Sequence, residues 1–316
     1  MSGIKSIIKI IAVIAGLFAA LAVIISYITY RFTFYNPNKK PDDPHRIPDG
    51  PKYACMEKEI HELIDETLAI PYENVSITSR DGLCLCGKLY RTSKEARVTL
   101  LMHGWHGVAV RDFAGGVQVH LDHGDNVLLV DQRAHNMSQG HTITFGVKER
   151  YDCLDWIEYI RKEFGKDVPI LLHGVSMGAS TVMMAAGLDL PSNVKGIIAD
   201  SGYTSPKDII CKVTAEKKIN PRIAWPFIRL GALLFGRFDP NAASALDSMR
   251  KNHLPLLIIH GTGDDFVPFE MGVENYNASK SVKFFTRVEG APHVMAYMYD
   301  TEQYFALMDE FYNAIS

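Results

Sequence analysis

The segment "PILLHGVSMGAS", Pro169 to Ser180, reads as an apolar strand that stops abruptly and turns into a helix. Gly174-Val175-Ser176-Met177-Gly178 forms the corner. A Gly-x-Ser-x-Gly corner lifts the serine hydroxyl clear of a sheet and points the next backbone N–H, that of Met177, into the same space. A serine hydroxyl is a poor nucleophile at neutral pH. It needs a neutral histidine to take its proton and a carboxylate to orient that histidine. Two later stretches offer both. After the apolar run "PLLIIHG" comes "TGDDFVP", where Asp264 begins an Asp-x-x-Val-Pro turn. After "KFFTRVEG" comes "APHVMAY", which puts His293 in a loop before the last helix. Ser176, Asp264 and His293 could together perform acyl transfer. Asp265 adjoins the favoured acid, and Asp200 in "ADSGY" is a rival at the end of another strand. In the chemically silent reading, Ser176 is only a tight-turn residue.

The elements that must hold these residues follow from hydrophobic periods. "VSITSRDGLCLCGKLYR", from Val75, predicts two strands joined at Asp81-Gly82. Apolar runs follow at Val98–Met102, Val127–Val130, Ile170–Leu172, Gly196–Ala199, Leu256–Ile259 and Val282–Val288. Helical patterns fall near Phe113–His123, Val147–Phe164, Met177–Leu188, Met271–Ser279 and Thr301–Ile315. Uniformly apolar strands separated by helices are buried on both faces, so the expected fold is α/β with a mostly parallel sheet. Pro206–Leu246 breaks the rhythm and is too long for a simple crossover. It reads as a small helical cap over the carboxyl ends of the strands, where an open α/β sheet places its ligand. Trp225, Phe227 and Phe235 are expected to line a substrate pocket there.

Four motifs together resemble the α/β-hydrolase superfamily, over roughly Val75 to Ser316. "LMHGWHG", Leu101–Gly107, is similar to the His-Gly turn after the third strand. "DQRAHNMSQG", Asp131–Gly140, resembles a loop of the serine aminopeptidase-like and prolyl-oligopeptidase-like branch, with Asn136 where glycine is usual. "GVSMG" resembles the nucleophile elbow and "HGTGDDFVP" the acid turn. His-Gly-Gly-Gly is absent, which argues against the hormone-sensitive-lipase branch. The resemblance implies the α/β-hydrolase fold and an oxyanion hole formed by the backbone N–H groups of Trp105 and Met177. It also implies that Trp105 walls the acyl pocket, and that no cofactor is required.

Ahead of this region, Ile10 to Tyr30 carries no charge. A bilayer core needs roughly 20 such residues. Lys5, Lys9 and Arg31 flank the run, and Tyr27 and Tyr30 occupy interfacial positions. A cleaved signal peptide is the alternative, with "FAALA" as its small residues, but the apolar run continues well past them. The expectation is a single-pass anchor over residues 1–34 that contacts the lipid bilayer through residues 10–30. The flanking charges leave the side of the catalytic domain open. Residues 35–52, rich in proline and charge, read as a linker, and 53–316 as the catalytic domain with its cap at 206–246. Met56, Ile60, Leu63, Ile64 and Leu68 predict an amphipathic helix within Tyr53–Ile70.

Composition adds exclusions. The 316 residues are 47% hydrophobic, enough for a full core, and a net charge of -3 gives no electrostatic grip on nucleic acid. Five cysteines do not suit a complete disulfide framework and read as free thiols. His103, His106, His120 and His123 match no helix-borne zinc spacing, so no metal is expected, and His103 and His173 read as structural neighbours of the site. The chain therefore reads as a membrane-anchored serine hydrolase acting on a small-molecule acyl substrate, first an ester of an apolar acyl group. The enzymatic alternative is an amide or peptide hydrolase. The alternative of another class is an inactive binding protein on the same fold.

Overall fold

The computed structural model describes residues 2–37, 42–48 and 50–315. Part of the expected linker, residues 38–41 and 49, therefore lies outside the described residues. Eight strands form one sheet: β1 (Glu73–Thr78), β2 (Cys84–Tyr90), β3 (Val98–Met102), β4 (Asn126–Val130), β5 (Ile170–Val175), β6 (Val194–Asp200), β7 (Leu256–Gly261) and β8 (Lys283–Val288). Their order is β1-β2-β4-β3-β5-β6-β7-β8. β2 runs antiparallel to both β1 and β4, and every other pairing is parallel. The hairpin between β1 and β2 turns at Gly82, whose φ of +88° suits a residue without a side chain.

The helices before β5 are α1 (Ser2–Thr33), α2 (Pro51–Ala54), α3 (Glu57–Ala69), α4 (Ala109–Asp112), α5 (Gly116–Asp122) and α6 (Glu149–Phe164). After it come α7 (Met177–Ala185), α8 (Pro206–Glu216), α9 (Pro221–Gly231), α10 (Ala245–Met249), α11 (Phe269–Ala278), α12 (Ala296–Tyr299) and α13 (Thr301–Ala314). A π-helical turn, Ala232–Gly236, continues α9. Local chemistry explains several starts. Ser205 caps α8 through the Asp208 N–H, and Asn220 caps α9 through the Arg222 N–H, each with proline at the first helical position. Asp300 caps α13 through the Gln303 N–H. The amphipathic pattern within Tyr53–Ile70 becomes two helices, α2 and α3, broken at Cys55–Met56.

β3, β4, β5 and β7 are buried throughout, as continuous apolar runs require. The parallel register aligns their carboxyl ends: Met102 pairs with Gly174, and Val175 with Asp200. The loops that follow these ends therefore emerge side by side. All five cysteines are free.

The amino-terminal helix is not set apart from the domain. Residues 4–21 are exposed, but Ser26 and Tyr30 of the helix and the adjoining Phe34 are buried. Phe34 is fully enclosed, with its ring 5.8 Å from Phe145 and 5.2 Å from Phe238. The Tyr30 hydroxyl lies 2.7 Å from Thr142 Oγ1. The boundary expected at residue 34 thus falls inside the core, because the last turns of α1 carry aromatic side chains that the domain encloses. Phe34→Ala should destabilise the full chain by about 3–5 kcal/mol, the usual cost of emptying a buried aromatic site. Denaturant titration in detergent checks this, with the exposed Ile14→Ala expected to leave the midpoint unchanged.

Candidate active site

Ser176 sits between β5 and α7 with φ +54° and ψ −117°, a strained conformation for a residue with a side chain. Two glycines make the corner geometrically accessible. A side chain on Gly178 would collide with the Met102 carbonyl, and one on Gly174 would collide with the backbone of Gly178. The Ser176 N–H donates to the Asp200 carbonyl at 2.8 Å, which fixes the turn to the end of β6.

His293 approaches from the loop after β8. Its Nε2 lies 2.8 Å from Ser176 Oγ and its Nδ1 lies 2.7 Å from Asp264 Oδ2. Asp264 belongs to the turn after β7, where its Oδ1 accepts the N–H groups of Phe266 and Val267 at 3.0 and 2.8 Å. Burial opposes its charge, but His293 and His260, through charge and hydrogen bonding, outweigh that and hold its pKa well below the usual carboxylate range. Asp265 instead faces solvent and pairs with Lys52 at 2.9 Å. The rival Asp200 is also buried, and its carboxylate accepts from the Ser201 hydroxyl, while no hydrogen bond joins it to His293 among the described residues.

The turn that holds Trp105 is fastened from two sides. His103 Nε2 accepts the Gln132 N–H at 2.9 Å, and its Nδ1 lies 2.8 Å from the Gly104 carbonyl. The His106 N–H donates to His135 Nε2 at 3.0 Å, and the Gly104 N–H donates to Asp112 at 2.9 Å. Asn136 adopts φ +41°, a left-handed geometry that asparagine tolerates, and donates to Asp131 Oδ2. This is the position where the motif departs from glycine. Among the described residues, the N–H groups of Trp105 and Met177 have no protein acceptor. Met177 opens α7, so its N–H is one of the unpaired donors at a helix start.

A cavity of about 400 Å³ adjoins Ser176 and His293. Trp105, Phe113, Val175 and Met295 supply apolar wall, and Ile47, Tyr53 and Ile60 close it from the amino-terminal side. Trp225, Phe227 and Phe235 do not line it. Phe235 packs on Tyr27 and Tyr30 of α1 at 5.1 and 5.8 Å, the Phe227 carbonyl accepts from Thr29, and Trp225 packs against the main core. Of the three, the Phe235 ring packs on α1. The residues that sequence reasoning missed come from the stretch read as a linker and from α2. Tyr53 donates to the His293 carbonyl at 3.3 Å, and Lys52 to the Gly263 carbonyl at 3.0 Å. Burial, with Asp264, Asp265 and Asp112 nearby, pushes the Tyr53 phenol up to about 12. No sequence signal marks these contacts.

His173, Asp200 and Tyr304 also border the cavity. His173 Nδ1 lies 2.8 Å from His120 Nε2, whose Nδ1 lies 2.7 Å from the Tyr312 hydroxyl. Tyr312 donates in turn to Asp125. Burial pushes the His173 pKa down to about 3, which keeps the ring neutral. Among the described residues no group of three or more His, Cys, Asp or Glu side chains is arranged to hold a metal ion.

The comparisons with known proteins agree with this architecture. A family model described as alpha/beta hydrolase fold matches residues 98–212. The chain is 27% identical over 212 residues to the uncharacterized protein YqkD of Bacillus subtilis, covering 65% of this chain and 68% of that one. The esterase Pf2001 of Pyrococcus furiosus superposes with a TM-score of 0.60 at 23% identity, over 79% of this chain and 95% of that one. The acylaminoacyl peptidase of Pyrococcus horikoshii superposes with a TM-score of 0.58 at 18% identity, over 77% of this chain and 41% of that one. The chain has the α/β-hydrolase fold.

Asp200 gives a pH test of this site. Burial raises its pKa to about 6, opposed by the Ser201 hydrogen bond, against an ordinary 3.8. The folded protein therefore holds a proton that the unfolded chain has lost, and stability falls as pH rises from about 4 through 6. The difference is on the order of 3 kcal/mol. Urea titrations from pH 4 to 7 should show the stability of the wild type declining relative to Asp200→Asn by that amount. Parallel curves would contradict the raised pKa.

Proposed function

We propose that this chain is a membrane-anchored serine hydrolase that cleaves carboxylic esters of apolar acyl groups through an acyl-enzyme. The observation that carries the reading is the continuous contact from Ser176 Oγ through His293 to Asp264, at 2.8 and 2.7 Å. In this mechanism His293 takes the Ser176 proton as the oxygen attacks the acyl carbonyl. Asp264 fixes the ring with Nδ1 protonated and stabilises the imidazolium. The Trp105 and Met177 N–H groups receive the oxyanion, a contribution of about 2.7–4 kcal/mol for each donor of this kind. His293 then returns the proton to the leaving alkoxide. Water, activated by the same histidine, attacks the acyl-enzyme and releases the acid. The anchor is α1, an apolar helix of sufficient length to cross a bilayer.

The ester preference rests on how the carboxylates around the cavity are used. Capture of a free α-ammonium requires an available anion. Asp112 is engaged by Gly104 and Arg111, Asp265 by Lys52, and the buried Asp200 by the Ser201 hydroxyl. The wall beside Ser176 is chiefly apolar, and each methylene buried there adds up to about 0.8 kcal/mol. Amide hydrolysis keeps the same residues and differs in its leaving group.

Ser176→Ala should abolish fluorophosphonate labelling and turnover of p-nitrophenyl esters while circular dichroism stays unchanged. Asp264→Asn should lower kcat by roughly 10⁴, as loss of the orienting carboxylate does elsewhere, and Asp265→Asn should leave it nearly intact. The reverse ranking would move the acid to Asp265. Across short to medium p-nitrophenyl esters, kcat/KM should rise with acyl length and exceed that on aminoacyl anilides. A flat profile with strong anilide cleavage would replace the esterase reading with the amidase one.

A further inference from the structure

α9 and the π-helical turn after it form one rod whose two sides are both apolar. Ile228, Gly231 and Ala232 are buried. Ile223, Leu233 and Leu234 are 65%, 43% and 50% exposed. The rod is also one-signed: from Lys217 to Phe238 the sequence has five basic residues and no acidic one. Arg229 pairs with Asp239, while Lys217, Lys218, Arg222 and Arg237 are exposed.

The rod lies directly against α1. A side chain on Gly231 would collide with the Ser26 carbonyl, and Thr29 Oγ1 reaches the Phe227 carbonyl at 3.3 Å. Small residues at such a close approach are typical of helices that meet within lipid. The contact falls on Ser26 to Tyr30, inside the uncharged run that ends at Arg31. At 1.5 Å per residue, this stretch lies within about 10 Å of the end of the run. A surface packed beside it shares its depth.

We infer that α9 and its π-turn form a second membrane contact, lying in the leaflet from which α1 emerges. Leu233, Leu234 and Ile223 face the acyl region, and the basic residues meet anionic headgroups. The inference rests on α1 being the anchor. An in-plane helix with apolar and basic surface is a physical match to an anionic bilayer. It also explains why the apolar bulk of this segment does not line the cavity.

The test uses the full chain with Cys55→Ser, reconstituted in vesicles of phosphatidylcholine and phosphatidylglycerol. An environment-sensitive fluorophore is attached at Leu234→Cys, at Ile223→Cys, or at the exposed control Lys251→Cys, with signal from the parent chain subtracted. Alkaline carbonate extraction is measured on the same samples. The expected result is a chain retained by carbonate, with labels at 223 and 234 quenched by doxyl lipids and several-fold less by iodide than the label at 251. A retained chain whose label at 234 meets iodide as freely as that at 251 overturns this inference alone. Protection from iodide without doxyl quenching means a protein covers the rod, which also overturns it. Release by carbonate overturns the anchor reading and this inference with it.

Discussion

The site depends on how closely α7 approaches the sheet. At Gly178 the helix meets the end of β3 with no room for a side chain, and at Gly174 the strand meets the helix on the same terms. That closeness leaves Ser176 no relaxed way to connect the two, and its backbone is driven to φ +54°. The strained turn projects the hydroxyl toward the one place where the loops after β7 and β8 can reach it. Packing of a fully buried helix thus sets the position of the Ser176 hydroxyl.

A second layer of constraint keeps the surrounding polar groups in fixed states. Asp264 is buried yet charged, because two backbone N–H groups and the imidazoles of His260 and His293 surround it. Asp200, only a strand away, is buried without a cation bonded to it and is held toward neutrality. Two aspartates at comparable depth thus shift in opposite directions because their neighbours differ. His103 and His135 act as rigid spacers, each accepting a backbone N–H on one nitrogen.

Much of this was legible in the sequence because it is local. The elbow, the acid turn and the loop carrying His293 are each a few residues long, and the aligned ends of parallel strands bring them together. The choice of Asp264 over Asp265 followed from the register of the turn, and the side chains diverge accordingly, one inward and one to Lys52. What escaped the sequence was long-range matching of apolar surfaces. Trp225, Phe227 and Phe235 read as a ligand-facing cluster because composition shows that a surface is apolar and not what covers it. Ile47 and Tyr53 escaped for the opposite reason. They lie in or just beyond a stretch rich in proline and charge, and nothing nearby marks their partners.

The contact between Tyr53 and His293 spans 240 residues, and that between Ser176 and His293 spans 117. Contacts of such separation form late, after the entropy of closing the intervening loops has been met. In a chain made from its amino terminus, the turn at Ser176 is made before His293 has been synthesised. The candidate site therefore closes late in the domain, when β8 and the loop after it return to segments made earlier. A growing chain carries the Ser176 turn without its His293 partner, and their contact arrives only once the loop after β8 has been made.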